Sequence, residues 1–125
     1  MLVKSHRDLE VYKLAFNTAL EIFEISKLFP LEEKYSLTDQ IRRSSRSVCA
    51  NIAEAYRKRK YEKHFVSKLS DSEAEAGESQ VWLEFAQSHK YINSVHFEAL
   101  FDKYDHIISM LVKMQNNSKN WIIKT

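Results

Sequence analysis

Residues Leu37–Arg57 read LTDQIRRSSRSVCANIAEAYR. Ile41, Ser45, Val48, Ile52 and Tyr56 recur at steps of three and four, which places them on one side of a helix spanning residues 37–57. Cys49 borders that side. The remaining positions form a wet side with an uneven charge. On a helix of 3.6 residues per turn, Arg42, Arg43, Arg46 and Arg57 share one arc of about 100°, roughly opposite the core side. Ala50 and Ala53 lie low among them. Asp39 and Glu54 are the acids of this helix.

Three more helices flank this one, and nothing reads as a strand. Residues 7–28 carry two apolar stripes: Tyr12, Ala15, Phe16, Ala19, Ile22 and Phe23 form one, and Val11, Leu14, Ile25 and Leu28 the other. Ser5 and Asp8 have capping-box spacing at its start, and Phe29-Pro30 stops it. Residues 61–88 place Phe65, Leu69, Ser72, Ala76, Gln80 and Leu83 on one face. Gly77 interrupts that helix at about 1 kcal/mol relative to Ala, and close approach of a neighbouring helix is its expected use. Residues 94–115, capped by Asn93 or Ser94, carry Phe97, Leu100, Phe101, Tyr104, Ile107, Ile108, Leu111 and Met114. The tail NNSKNWIIKT, residues 116–125, is expected to fray unless Trp121–Ile123 docks.

The whole chain is ordinary in its hydrophobic (44%) and charged (29%) content, yet holds one Gly and one Pro in 125 residues. Turns and hairpins consume both residues, so the scarcity argues for long helices and short loops. The expected fold is a single all-α domain over residues 1–125, an antiparallel up-and-down four-helix bundle. The apolar faces are wider than one bundle core needs. Val81, Trp82, Leu83, Phe85 and Ala86 cover nearly all sides of the third helix, so a second buried surface is expected there, supplied by self-association through Val81, Trp82 and Phe85.

Enzymatic chemistry finds little support. A di-iron bundle needs Glu-x-x-His on two helices, and none of the five His has Glu three residues earlier. One Gly cannot build a phosphate loop. Cys49, at the edge of an apolar stripe, reads as a packed residue. No metal, cofactor or small-molecule substrate is expected. A single Cys and the absence of a signal-like start or apolar span point to the cytoplasm and away from membranes.

The net charge is +2, yet Gln40–Lys63 holds eight cations against Glu54 and Glu62. The run Arg57, Lys58, Arg59, Lys60 and then Lys63 extends the arginine arc. Three readings stay open: a solvated face with helix-end stabilisation, a nucleic-acid surface, or a dock for an acidic protein face. The five carboxylates between Asp71 and Glu84 read as a solvated face, or as the partner of a basic face on another subunit.

The same stretch resembles a family. Gln40-Ile41-Arg42-Arg43-Ser44-Ser45, Ser47-Val48 and Asn51-Ile52-Ala53-Glu54 are similar to the signature of the small bacterial proteins encoded in intervening sequences of 23S ribosomal RNA genes, long labelled S23 ribosomal proteins. Arg7–Tyr12, Phe29-Pro30 with Glu33 and Tyr35, Trp82-Leu83 and Tyr91-Ile92 resemble other family segments in the right order. The resemblance implies a four-helix bundle assembled as a ring-shaped homopentamer, with no established enzymatic activity. It also implies kinship with the accessory variability determinant of diversity-generating retroelements, which binds a reverse transcriptase and nucleic acid. Ala55 and Cys49 stand where many members have Gly and Pro, and both favour a straighter second helix.

Two functional expectations follow. One is a non-enzymatic, homo-oligomeric RNA- or DNA-binding accessory protein contacting phosphates through Arg42, Arg43, Arg46, Arg57, Lys58, Arg59, Lys60 and Lys63. The other is an adaptor whose basic face pairs with acidic surfaces of neighbouring subunits, or with a partner such as a reverse transcriptase.

Overall fold

The computed structural model describes residues 3–123. Four long helices carry the fold: α1 (Glu10–Ser26), α2 (Leu37–Arg57), α3 (Glu62–Ser88) and α4 (Ser94–Asn116). Short 3₁₀ turns at His6–Asp8, Leu31–Glu33 and Ser118–Asn120 complete the described residues, which hold no strand. Helix α1 packs on α2, α2 on α3, α3 on α4, and α1 on α4, closing an antiparallel up-and-down bundle. The axis is lined by Ala15, Ile22, Ile41, Val48, Ile52, Phe65, Leu69, Ala76, Leu83, Tyr104, Ile107 and Leu111, each almost wholly removed from solvent.

Helix α2 occupies the expected residues and runs without interruption through Cys49 and Ala55, both buried. Its interface with α3 is the most extensive of the bundle, and small polar side chains make it so. Ser72 Oγ donates to the Val48 carbonyl (2.8 Å), and the Ser44 and Ser79 hydroxyls meet at 2.7 Å. Satisfied hydroxyls of this size let two backbones approach without stranding a polar group. Ser79, not Gln80, is the buried residue here. Gln80 turns aside and bridges to α4, donating to Asp105 Oδ1 (2.8 Å) and the Phe101 carbonyl (3.2 Å).

Other expectations are corrected. The first helix does not begin at Arg7. Ser5 and Asp8 do cap, but they cap a 3₁₀ turn: Asp8 accepts the Lys4 and Ser5 N–H groups. Leu9 is then extended (φ −71°, ψ 130°) and buried, so burial of that side chain delays α1 to Glu10. The core line of α1 runs between the two apolar stripes, through Val11, Ala15, Thr18, Ile22 and Ser26. The Thr18 and Ser26 hydroxyls donate to the Leu14 and Phe23 carbonyls (both 2.7 Å), which removes the cost of burying them. Gly77 does not admit a close neighbour, because a Cβ there would meet nothing within 4 Å.

The tail does not fray. Ser118 is buried and donates to Glu62 Oε2 at 2.6 Å. Trp121 packs against the core, and the Ile123 N–H donates to the Arg59 carbonyl at 3.0 Å. Residues 124–125 of that expectation lie outside the described residues.

The loops at the opposite end are tied together by one carboxylate. Glu33 accepts from the Ser36 hydroxyl and the Leu37 N–H (3.2 Å) at the start of α2, and from the Tyr91 hydroxyl (2.8 Å) in the α3–α4 turn. The Ser36 and Tyr91 hydrogen bonds hold the Glu33 carboxyl below its ordinary value. That turn closes α3 with Lys90 in the left-handed region (φ 62°), and the Lys90 and Tyr91 N–H groups donate back to Gln87 and Ala86. This is the Schellman pattern, with Lys where Gly is usual.

Candidate nucleic-acid interface

The arginines of α2 do not form one free arc. Helix α2 buries Ser44, Cys49 and Ala55 as well as the expected residues, because it packs against both α1 and α3. Its long cationic side chains therefore lie over the two seams. Towards α1, the Arg42 Nε donates to Ser26 Oγ at 2.7 Å, and its guanidinium sits 4.5 Å from the centre of the Phe23 ring. Arg46, exposed, hangs 5.7 Å from the same ring. Towards α3, Arg43 donates to Glu75 Oε2 at 3.0 Å and also to Glu78. Burial alone would raise the Glu75 carboxyl; the hydrogen bonds from Arg43 help to outweigh it, and the carboxyl ends below its ordinary value. Arg43 thus pairs with Glu75 and Glu78 of the acidic α3 face within one chain.

Four of the expected cations lie together at one end of the bundle. Arg57 closes α2, Lys58 and Lys60 occupy the turn, and Lys63 is in the first turn of α3, all exposed. Among the described residues none of these four side chains pairs with a carboxylate. Arg59 is held in place. Its Nε donates to the Tyr56 carbonyl at 2.8 Å, and its guanidinium stacks 3.7 Å from the Tyr56 ring centre. The tail fixes the same turn through Ile123 and Ser118, so the basic end is pre-organised. Cations at the C-terminus of α2 also complement its dipole, which lets them gather there without partners.

The Asn51–Glu54 motif has structural duties. Asn51 Nδ2 donates to the Ser47 carbonyl (2.9 Å) and Ile52 is core. Ala53 lines a groove, and Glu54 pairs with Lys68 of α3 at 2.8 Å. That groove, about 540 Å³, runs between α1 and α2 past Tyr12, Phe16, Leu20 and Phe23. Val81 and Phe85 are exposed on α3, and Trp82 is half-buried between them, its Nε1 donating to Glu78 at 3.3 Å. Two separate apolar patches therefore face solvent, one on α1 and one on α3.

Sequence reasoning passed over Tyr61, which stands exposed among the free cations. Its signal was an aromatic inside the run RKRKYEK.

Cys49 is buried, and burial pushes its thiol up to about 11, which leaves almost no thiolate at neutral pH. Among the described residues no three His, Cys, Asp or Glu side chains could hold a metal ion, and no helix is long and apolar enough to cross a membrane.

A model of the 23S rRNA-intervening sequence protein family matches residues 7–113. No curated protein matches. Among solved structures, the chain is similar to a protein of unknown function from the S23 ribosomal protein family of Bacteroides thetaiotaomicron. The two share 28% identity over 85% of this chain and 95% of that one, with a TM-score of 0.77.

Proposed function

The chain belongs to the 23S rRNA-intervening sequence protein family, and from that premise we propose that it is a non-enzymatic, homo-oligomeric accessory protein of the cytoplasm that binds RNA. The contact surface is the end of the bundle around Arg57, Lys58, Lys60 and Lys63. One observation carries the reading: these exposed cations have no carboxylate partner among the described residues, while the turn that bears them is fixed by the tail. An unneutralised, pre-organised cluster releases counterions on meeting a phosphate backbone. The exposed Val81 and Phe85 beside Trp82, and Phe16 and Leu20 on α1, support assembly into a ring, the pentamer that the family resemblance implies. A ring multiplies a weak basic site by the subunit number.

Titration of labelled structured RNA at low and physiological salt tests this. Affinity falls steeply with salt, and a Lys58→Ala/Lys60→Ala/Lys63→Ala variant loses at least tenfold. Absence of binding at low salt, or an unchanged variant, overturns it. Light scattering gives about five times the monomer mass for the wild type and less for Val81→Glu/Phe85→Glu.

The adaptor reading keeps only part of its support, because Arg43 already meets Glu75 and Glu78 within the chain. What remains of it is an acidic protein face on the same basic end. Polyglutamate competing with RNA at equal charge concentration would favour that reading.

A further inference from the structure

A surface that only neutralises phosphates has no use for an aromatic ring, yet Tyr61 presents one at the basic end. It is the N-cap residue of α3 and 55% exposed. The core position one helical turn on belongs to Phe65, and Tyr61 is not part of the apolar core. Its ring has the His64 ring 5.4 Å from it, tilted by 51°, and the Lys60 ammonium 5.8 Å from its centre. The backbone beneath is tied down by hydrogen bonds. The Tyr61 N–H donates to the Lys58 carbonyl (2.9 Å), and the carbonyl of Arg59 is occupied by Ile123. The neighbouring carboxylate, Glu62, is engaged by the Ser118 hydroxyl and so is drawn towards the tail.

From this arrangement we infer that Tyr61 is a stacking platform for an unpaired base, with Lys58, Lys60 and Lys63 taking the flanking phosphates. The ligand class is single-stranded RNA or an RNA loop. In a duplex the base faces are already stacked on one another, and an exposed phenol finds nothing to cover it. In a single strand every base offers a face, and the lysines around the ring place charge where the backbone must pass. Binding costs little backbone ordering here, because the turn that carries the ring is held before the ligand arrives. The inference rests on the RNA-binding reading above and specifies the form of RNA.

Fluorescence anisotropy with four probes tests it: an unpaired RNA of about 10 nucleotides, within the range of single-strand site sizes; the blunt duplex of the same sequence; heparin, a polyanion without bases; and polyglutamate, an acidic polypeptide. The expected result is tighter binding of the single strand than of the duplex. Tyr61→Ala loses about tenfold on the single strand, as removal of one stacking partner does. Tyr61→Phe and Tyr61→Trp retain the affinity, and all four proteins bind duplex and heparin alike. Equal single-strand affinity of Tyr61→Ala and wild type, or a preference for duplex, overturns the stacking role while leaving RNA binding through the lysines intact. Absence of binding to any probe at low salt overturns both readings, and so does polyglutamate bound more tightly than RNA. Thermal melts of each variant, read by circular dichroism, are expected to coincide with wild type because Tyr61 lies outside the core.

Discussion

Arg43 Nη1 lies 3.0 Å from Glu75 Oε2, joining the first third of α2 to the middle of α3 across a seam that also holds Glu78. A guanidinium shared by two carboxylates of its own chain acts chiefly as an interhelix tie. Arg43→Ala is therefore expected to lower unfolding stability by about 1 kcal/mol, towards the upper end for partly exposed pairs, and to change RNA affinity by less than twofold. Urea denaturation read beside the RNA titration separates the two effects. A loss of affinity without a loss of stability would return Arg43 to the contact surface.

The tail makes the opposite prediction, because it touches both stability and the basic end. Trp121→Ala removes a half-buried indole and is expected to cost about 1–3 kcal/mol, below the range for a fully buried aromatic. It should also loosen the Arg59 turn. RNA affinity then falls although no cation has been removed. Denaturation by urea gives the first quantity and the titration the second. Unchanged affinity at full folding would separate the tail from the interface.

Glu33 predicts an acid response. Its native pKa lies below the ordinary value, held there by hydrogen bonds from Ser36 and Tyr91. The folded state therefore binds the proton less readily than the unfolded chain. The stabilisation is fully present above the ordinary glutamate pKa, ~4.3, and is lost as pH falls through the lower native value. Melting temperatures from pH 6 to pH 3 should fall less steeply for Glu33→Gln than for wild type, with the Gln variant the less stable at pH 6. Parallel curves would remove Glu33 as a contributor.

Gly77 stands in helical conformation with open space where a side chain would go. Gly77→Ala should stabilise the chain by about 0.5–1 kcal/mol, through reduced freedom of the unfolded state. Guanidinium denaturation at matched protein concentration measures it. If the same variant dissociates the oligomer, the space is occupied by a second copy.

Tyr104 is buried to 0% exposure, and among the described residues no well-aligned hydrogen bond reaches its hydroxyl, although the Ser45 and Ser79 side chains lie beside it. Burial pushes its pKa up. Tyr104→Phe keeps the ring and removes the unpartnered oxygen, so a gain of up to about 1 kcal/mol is expected. A loss on calorimetric melting would mean that the hydroxyl is satisfied in solution.

How far the sequence foretold this structure depends on the range of the forces involved. Helix α2 was readable to the residue because Ile41, Val48, Ile52 and Tyr56 set a strong period between Phe29-Pro30 and a basic end. The start of α1 was not, because the extended Leu9 answers to a core assembled from distant helices. The choice between Ser79 and Gln80 turned on which side chain could meet Ser44, 35 residues away. The arginine arc was correct as geometry on an isolated helix. Its dispersal onto Ser26, Phe23, Glu75 and Glu78 needed both neighbouring helices in place. The docking of Ile123 on Arg59 has no local signature, since a backbone-to-backbone hydrogen bond carries no residue preference.

The serine-lined seam between α2 and α3 gives the bundle a stiff side and a soft one. On the stiff side, Ser44–Ser79, Ser72–Val48 and Arg43–Glu75 bind two long helices into something close to a single rod. On the soft side, α1 and α4 meet over a smaller area, flanked by hollows of about 620 and 360 Å³. The turn bearing Lys58 and Lys60 is the tip of the rod. Amide exchange with solvent is therefore expected to reach α1 and α4 before the α2–α3 rod.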